Sequence, residues 1–219
     1  MVYDMNDKME VMNGGKALMK ALEKEGVKEV FGLPGGANLP MYDELYKSNI
    51  RHILVRHEQS AAHMADGFGR VSRKPGVCFA TSGPGATNLL TGIATAQADS
   101  APMIAVTGQV PVNMIGRDAF QESDIIGMSN PCVKYAFQPR TPQEIPEAVK
   151  KGFYIAETGR PGPVLLDIPK DVQQNEAEIT FPNEVRIPGY HPWTDVDITN
   201  IERAVDLLLS SEKPIILAG

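Results

Sequence analysis

The sequence has few cysteines, and their positions do not suggest a pair. Only two of its 219 residues are cysteine, Cys78 and Cys132, and neither has a second cysteine near it in the chain. Two thiols placed in this way are more typical of reduced, separate side chains than of a disulfide or a metal-binding pair. The sequence therefore does not predict a disulfide-rich secreted scaffold.

The chain also lacks a basic cluster, a long apolar run and a leader-like start. It carries 21 basic and 27 acidic residues, for a net charge of -6. Without a cluster of lysine and arginine, binding to nucleic acid or to an anionic membrane surface is not expected. No apolar run approaches the roughly 20 residues that span a membrane, and residues 1–15 are acidic, unlike a secretory signal. We expect a cytoplasmic protein.

Strand-like and helix-like segments alternate along most of the chain. With 42% hydrophobic residues, the chain can bury one sizeable core. Alternation of this kind predicts a parallel sheet that is covered by helices on both faces. The predicted strands are 27–31, 53–55, 76–81, 103–107, 133–137 and 164–168. The expected fold class is therefore α/β, a three-layer α/β/α domain with a six-stranded parallel sheet.

The composition changes after residue 172. Residues 173–197 are rich in proline, asparagine, glycine and charge, which is typical of a linker between domains. A helix that starts near Thr199 and an apolar strand over 214–218 are predicted to follow, but one helix and one strand cannot make a core. We therefore expect three parts: a domain at 1–172, a linker at 173–197, and the truncated start of a second α/β domain at 198–219.

The most informative stretch is Arg56-His57-Glu58-Gln59, at the start of a predicted helix. At helical spacing, Glu58 shares a face with a stripe of apolar residues: Ala61, Ala62, Ala65 and Phe68. Such a stripe packs closely on a neighbour, which would remove the carboxyl group from water. The residues alone leave two interpretations open. Glu58 complements the helix dipole, or it is a buried acid that takes part in proton transfer.

A zinc site at the same stretch is not favoured. His57 and Glu58 resemble the start of a zinc-binding motif, but the second histidine, His63, is six positions after His57 rather than four. Six residues correspond to about 240° around a helix, so the two imidazoles diverge. No metal ligand is assigned in this sequence.

A glycine-rich turn, Ser82 to Asn88, follows the third predicted strand. It does not match the nucleotide-binding templates, because no Lys-Ser/Thr pair follows the glycines and Asn88 stands where a dinucleotide loop needs a small residue. Pro84 also removes an amide that a phosphate would need. The residues alone leave open a phosphate cradle and a tight structural turn.

The loops after parallel strands meet at one edge of a sheet, where such proteins keep their sites. We therefore expect one cleft to contain several separate segments: Gly35-Gly36, Glu58, Gly83 to Asn88 and Phe120-Gln121. Taken together, these segments resemble the thiamine-diphosphate-dependent enzymes and, within them, the large catalytic subunit of acetolactate synthase. The resemblance runs from about residue 10 to the end. It rests on VFGLPGGA at 30–37, RHEQ at 56–59, TSGPGATN at 81–88, TGQVP at 107–111, DAFQE at 118–122, RPGPV at 160–164 and DIPKD at 167–171.

The resemblance implies an activity. Residues 1–172 would be the pyrimidine-binding domain of a transferase that decarboxylates pyruvate on thiamine diphosphate. That enzyme condenses the resulting enamine with pyruvate or 2-ketobutyrate in the biosynthesis of isoleucine, valine and leucine. Two alternatives stay open: another thiamine-diphosphate enzyme, of the pyruvate oxidase or 2-keto acid decarboxylase type, and a noncatalytic nucleotide-binding or assembly module.

The resemblance also implies roles for individual residues. Glu58, which hydrogen-bonds the aminopyrimidine ring, and Gln121 would be catalytic as well as cofactor-binding. Further contacts with thiamine diphosphate would come from Gly36, Ala37, Pro84 and Asn88. Arg160 would contact FAD. Phe120 and Lys170 would line the substrate entrance. Judged without the resemblance, each has a plainer alternative: a core position for Phe120, solvated strand ends for Lys170 and Arg160, and loop ties for Gln121 and Asn88.

The implied cofactors are thiamine diphosphate, Mg²⁺ and a mainly structural FAD. The implied partners are 2-keto acids, further copies of the chain in a homodimer or tetramer through the pyrimidine domain, and a regulatory small subunit. The family's Gly-Asp-Gly and Asn-Asn elements, which hold Mg²⁺ and the diphosphate, do not occur in this sequence. They are expected in a later domain of a partner subunit, and the FAD mostly in an absent central domain. The chain alone is therefore expected to bind thiamine diphosphate weakly and not to turn over pyruvate.

Overall fold

The structure is a computed structural model that describes residues 9–192 and 196–217. The chain divides into a first unit that extends to Pro188 and a second that begins at Gly189. Within the described ranges, no helix is long and apolar enough to cross a membrane.

Strands and helices alternate through the first unit. Its strands are β1 (Glu10–Asn13), β2 (Glu29–Gly32), β3 (Arg51–Leu54), β4 (Gly76–Ala80), β5 (Met103–Gln109), β6 (Tyr135–Phe137), β7 (Pro163–Pro169) and β8 (Glu176–Ile179). Its helices are α1 (Gly14–Lys24), α2 (Leu39–Lys47), α3 (Glu58–Ser72), α4 (Pro84–Asn88), α5 (Leu90–Ala98), α6 (Ile125–Ser129), α7 (Glu144–Glu157) and α8 (Lys170–Gln174). The second unit contains α9 (Ile198–Ser210).

Six of the strands form one sheet in the order β3-β2-β4-β5-β7-β6, and all neighbouring pairs are parallel. Strands β4, β5 and β7 are buried along their whole length, as expected for strands that are covered on both faces. The helices form two groups, since α3 packs on α5 while α1 packs on α2, α7 and α8. The predicted α/β fold with a six-stranded parallel sheet is confirmed.

Helix α3 carries the predicted stripe of small residues. Ala61, Ala62 and Ala65 are fully buried. A Cβ atom on Gly92 of α5 would lie only 2.4 Å from the Cβ atom of Ala62, so the two helices approach as closely as small residues allow. This close packing fixes the start of α3, where Glu58 lies.

A short antiparallel ribbon was not predicted from the sequence pattern. Glu10 of β1 pairs with Ile179 of β8, and Ile179 is buried with Met12 and Ala17. The first unit therefore extends past the expected boundary at residue 172, and strand β8 of its ribbon lies within the segment expected to be a linker. The pattern gave no indication of β8, because a four-residue strand that contains two glutamates has no apolar run.

The second unit differs from its predicted elements in two places. Helix α9 is capped by Asp197, whose carboxylate accepts hydrogen bonds from the amides of Thr199 and Asn200, so the helix begins at Ile198, just before the start predicted near Thr199. The strand predicted over 214–218 is wrong for residues 214–217, which form no strand and expose Ile215 and Leu217. Residue 218 lies outside the described residues. Among the described residues of this unit there is no strand with which that segment could pair.

A carboxylate is fully buried near the carboxyl end of β7. Asp167 accepts hydrogen bonds from Thr107 Oγ1 at 2.7 Å, Gln109 Nε2 at 3.1 Å and Gln138 Nε2 at 2.6 Å. Burial raises the pKa of Asp167 from 3.8 to about 6, and these hydrogen bonds offset the rise only in part. The folded protein therefore holds a proton on Asp167 more tightly than the unfolded chain does.

This raised pKa predicts that the contribution of Asp167 to stability falls as the pH rises from about 4 to about 6. Over that range the folded Asp167 keeps a proton that the unfolded one has lost, so the free energy of unfolding decreases with rising pH. Two pKa units correspond to roughly 3 kcal/mol. Asp167→Asn removes this titration. Urea unfolding at several pH values should therefore show that the unfolding free energy of the variant increases relative to that of the wild type between pH 4 and pH 6. A difference in unfolding free energy that does not change with pH would contradict the prediction.

Candidate active site

The loops after β2, β4 and β5 meet at the carboxyl edge of the sheet and enclose a cleft of about 240 Å³. Five of the residues predicted for the site line this cleft: Gly36, Ala37, Phe120, Gln121 and Lys170. The parallel topology is the reason, because it brings the ends of neighbouring strands to the same edge.

Glu58 is the first residue of α3, and its side chain is held in one place. The residue is 8% exposed, and its Oε2 accepts a hydrogen bond from Asn88 Nδ2 at 2.9 Å. The N-cap of the helix is His57, whose Nδ1 accepts from the Gln59 amide, so Glu58 is not needed for capping. Within the part of the chain that the structure describes, Asn88 is the hydrogen-bond partner of the Glu58 carboxylate, and it bonds Oε2 rather than Oε1.

Two glycines bring the turn after β4 against both Glu58 and the loop that carries Gln121. Gly83 has φ +58°, and a Cβ atom there would lie 2.5 Å from the carbonyl oxygen of Gln121. A Cβ atom on Gly85 would lie 3.2 Å from Glu58 Oε1 and 2.7 Å from Thr81 Cγ2. Pro84 lies between them, exposed at the start of α4. The absence of side chains at the two glycines thus permits these close approaches, although Glu58, Pro84 and Asn88 are not among the residues that line the cleft.

Side chains fix the loop after β2. Asn38 Oδ1 accepts from the Gly35 amide at 2.7 Å, and Thr81 Oγ1 accepts from the Ala37 amide at 3.1 Å. Gly36 is exposed between these two anchors, and a Cβ atom on it would meet no atom within 4 Å. Its backbone therefore presents an open surface to the cleft.

The loop that carries Gln121 is closed by Glu122. The Glu122 carboxylate accepts from the amides of Gly116 and Ala119, the second at 2.9 Å. These backbone hydrogen bonds hold the pKa of Glu122 below its usual value. Gln121 adopts a left-handed conformation with φ +56°, and Phe120 is 88% exposed at the tip, so it is not a core residue.

The structure does not bring Arg160 to this cleft. Arg160 precedes β7 and lies at the amino edge of the sheet, where its Nη2 donates to the carbonyl oxygens of Gln97 and Ala98 at 3.0 Å. Its Nε donates to Ser100 Oγ at 2.8 Å. These bonds cap the end of α5. The contact between Arg160 and a flavin stays a prediction, and Arg160 has a structural role without it.

Sequence reasoning did not single out Tyr42 and Gln109. The Tyr42 hydroxyl lies 3.4 Å from His52 Nε2, and burial, followed by Cys78 and Glu58, raises its pKa. Gln109 lines the cleft from the end of β5. No role was predicted for either residue, although Gln109 lies in the TGQVP segment at 107–111, because an aromatic residue in a helix and a polar residue at a strand end are both common. Among the described residues, no group of three or more His, Cys, Asp or Glu side chains could hold a metal ion.

A cleft at the carboxyl edge of a parallel sheet, with a buried acid beside glycine turns, defines a cofactor-binding α/β domain. Residues 12–128 match the family described as thiamine pyrophosphate enzyme, N-terminal TPP binding domain. The chain belongs to this family.

Several relatives are similar over nearly the whole chain. A probable acetolactate synthase large subunit from Methanocaldococcus jannaschii is 58% identical over 211 residues, which are 95% of this chain and 36% of that protein. The acetolactate synthase large subunit of Corynebacterium glutamicum is 51% identical over 96% of this chain and 34% of its own length. An acetolactate synthase from Arthrospira platensis is 48% identical over 100% of this chain and 39% of its own length. The chain thus spans little more than a third of the curated relatives that it matches.

Proposed function

We propose that this chain is the pyrimidine-binding segment of an acetolactate synthase large subunit and forms the proton-transfer side of its cofactor site. The observation that carries the proposal is the Glu58 carboxylate, which is buried, accepts from Asn88 at 2.9 Å through Oε2 and has no hydrogen-bond partner for Oε1 among the described residues. The names of the relatives support the choice of activity.

The residues present fit thiamine diphosphate. Glu58 would exchange a proton with the aminopyrimidine ring through Oε1, and Asn88 keeps that carboxylate from turning away. Gly85 leaves space beside Oε1, and exposed Pro84 offers an apolar surface for the ring. When bound, thiamine diphosphate supplies a carbon nucleophile that can take up pyruvate and stabilise the negative charge left by the loss of carbon dioxide.

The remaining site residues would act on the substrate side. Gln121 lines the cleft from the closed loop, and Gly36 and Ala37 would present backbone to the reacting carbon. Phe120 and Lys170 would form the entrance, where the ammonium group of Lys170 suits a 2-keto acid carboxylate.

The other cofactors and partners would come from regions outside this chain. The proposed Mg²⁺ and diphosphate site needs Gly-Asp-Gly and Asn-Asn elements, which the sequence does not contain, and FAD would be held mainly by a further domain. Exposed apolar side chains on the first unit support assembly into a homodimer or tetramer: Tyr46, Leu54, Met64 and Val71. A regulatory small subunit is proposed on the relatives' description as large subunits. We place the enzyme in the cytoplasm, consistent with its free cysteines.

Product analysis of a full-length protein that carries this chain tests the proposal. With pyruvate, thiamine diphosphate and Mg²⁺, the product should be acetolactate. Acetyl phosphate would indicate a pyruvate oxidase and free aldehyde a 2-keto acid decarboxylase, and either would overturn the proposed activity. The isolated chain is the matched control, and robust acetolactate formation by it would contradict a site that needs a second segment.

A further inference from the structure

The carboxyl end of β7 is connected to both walls of the cleft. The carbonyl oxygen of Ile168 accepts from Gln173 Nε2 at 2.7 Å, and the same amide group donates to the Ala37 carbonyl at 2.9 Å. The preceding residue, Asp167, accepts from Gln109 on the opposite side. The carboxyl end of β7 therefore anchors the loop after β2 through Gln173, and it anchors the end of β5 through Gln109.

The side chain of Gln109 has one arrangement that satisfies all its polar atoms. Its Nε2 donates to Asp167 Oδ2 at 3.1 Å and to the Ser123 carbonyl at 2.9 Å, while its Oε1 accepts from the Val110 amide at 2.9 Å. Gln109 is 3% exposed, so water does not readily replace a lost partner. The Asp167 carboxylate thus selects the orientation in which Gln109 holds Ser123.

Ser123 lies directly after the loop that carries Gln121. That loop is closed internally by Glu122 and touches Gly83 at the carbonyl oxygen of Gln121. In addition to those contacts, the hydrogen bond from Gln109 to the Ser123 carbonyl attaches the loop to the end of β5. A change in the orientation of Gln109 would therefore shift Gln121, which is two residues before Ser123.

We propose that Asp167 is a positioning residue, which acts through Gln109 and the Ser123 carbonyl to fix the Gln121 loop over the cleft. This inference rests on the proposed function only for its effect on catalysis. Gln138 is the matched comparison, because its Nε2 also donates to Asp167 Oδ2, but among the described residues it has no hydrogen bond to the loop.

Hydrogen exchange in the chain itself tests the proposed connection. The amides of Ala119 and Glu122 report on loop closure, because the first donates to the Glu122 carboxylate and the second to the Ala119 carbonyl. In Asp167→Ala, Gln109 loses its acceptor, and these amides should exchange about tenfold faster, while amides in β5 change less. Asp167→Asn should restore protection, because its carbonyl accepts from both glutamines and its amide donates to Thr107 Oγ1, which can accept. Gln138→Ala should leave the two amides within about threefold of wild type.

If Asp167→Ala does not fold, a second variant can test the same connection. Gln109→Ala leaves Asp167 in place and removes the bond to Ser123, so it should raise exchange at the same two amides. Unchanged exchange at Ala119 and Glu122 in the folded variants would overturn the inference, as would an equal increase across the whole chain.

Kinetics of the full-length protein provide the second readout. Because a misplacement of about 1 Å can cost about 100-fold in rate, kcat in Asp167→Ala should fall by about 10- to 100-fold. Asp167→Asn and Gln138→Ala should stay within about threefold of the wild type. If the wild type forms no acetolactate, the proposed function fails, while the exchange experiment still decides the role of Asp167. A kcat in Asp167→Ala equal to that of Gln138→Ala would contradict the positioning role.

Discussion

Glu58→Gln, in a full-length protein that carries this chain, is expected to lower the rate of acetolactate formation by about 10²- to 10⁴-fold, the usual range for removing a general acid or base. The amide oxygen of glutamine can still accept from Asn88, so the fold and the start of α3 should be kept. The variant loses the ability to exchange a proton with a heteroaromatic nitrogen. Steady-state kinetics with saturating pyruvate and cofactor measure the effect.

The matched control is the same change at a glutamate outside the cleft. Glu147 pairs with Lys151 one turn along α7, at 2.7 Å, and partly exposed pairs of this kind contribute little to stability. Glu147→Gln should therefore leave the rate within about twofold of wild type, since such a pair is worth about 0.3 to 0.5 kcal/mol. If Glu58→Gln also kept full activity, Glu58 would be a structural residue, and the noncatalytic alternative would gain support.

Gly83→Ala is expected to have the second largest effect, mainly on cofactor binding. Gly83 has φ +58° and ψ -120°, a conformation that costs other residues about 1 to 3 kcal/mol. The new Cβ atom would lie 2.5 Å from the Gln121 carbonyl oxygen, so the turn or the loop must move. We expect the affinity for thiamine diphosphate to fall by at least about tenfold, equivalent to about 1.4 kcal/mol. Calorimetric titration of the full-length protein measures this change.

Gly67→Ala tests whether any added methyl group has this effect. Gly67 lies within α3, and a Cβ atom on it would meet no atom within 4 Å. Alanine favours a helix over glycine by about 1 kcal/mol, so the variant should be equally or more stable and bind the cofactor with unchanged affinity. Equal losses of affinity in the two variants would contradict a specific requirement at Gly83.

The sheet could be predicted because its strands have distinctive sequences. Strands β4, β5 and β7 are mainly apolar and are buried along their whole length, and the alternation with helices leaves few topologies. Ribbon β1–β8 could not be predicted in this way, because its pairing joins distant, short and charged segments. The fold therefore followed from local pattern only where a strand segment carries an apolar run.

The candidate site was predictable where local chemistry marked it. The acid at Glu58, followed by small apolar residues, indicated burial, and that burial is observed. The network of Asp167, Gln109 and Ser123 was not predictable, since its members come from separate strands and loops, and the segments TGQVP and DIPKD do not indicate that Gln109 and Asp167 are in contact. The position of Arg160 before a parallel strand could have indicated the amino edge of the sheet, away from the cleft.

The central claim is that Glu58 supplies the proton exchange that activates the bound cofactor. The most direct measurement is the rate at which the hydrogen at C2 of the thiazolium ring, in thiamine diphosphate bound to the full-length protein, exchanges with deuterium. The account predicts that Glu58→Gln slows this exchange by at least about 100-fold while the cofactor stays bound. Equal exchange rates in the wild type and the variant would contradict it.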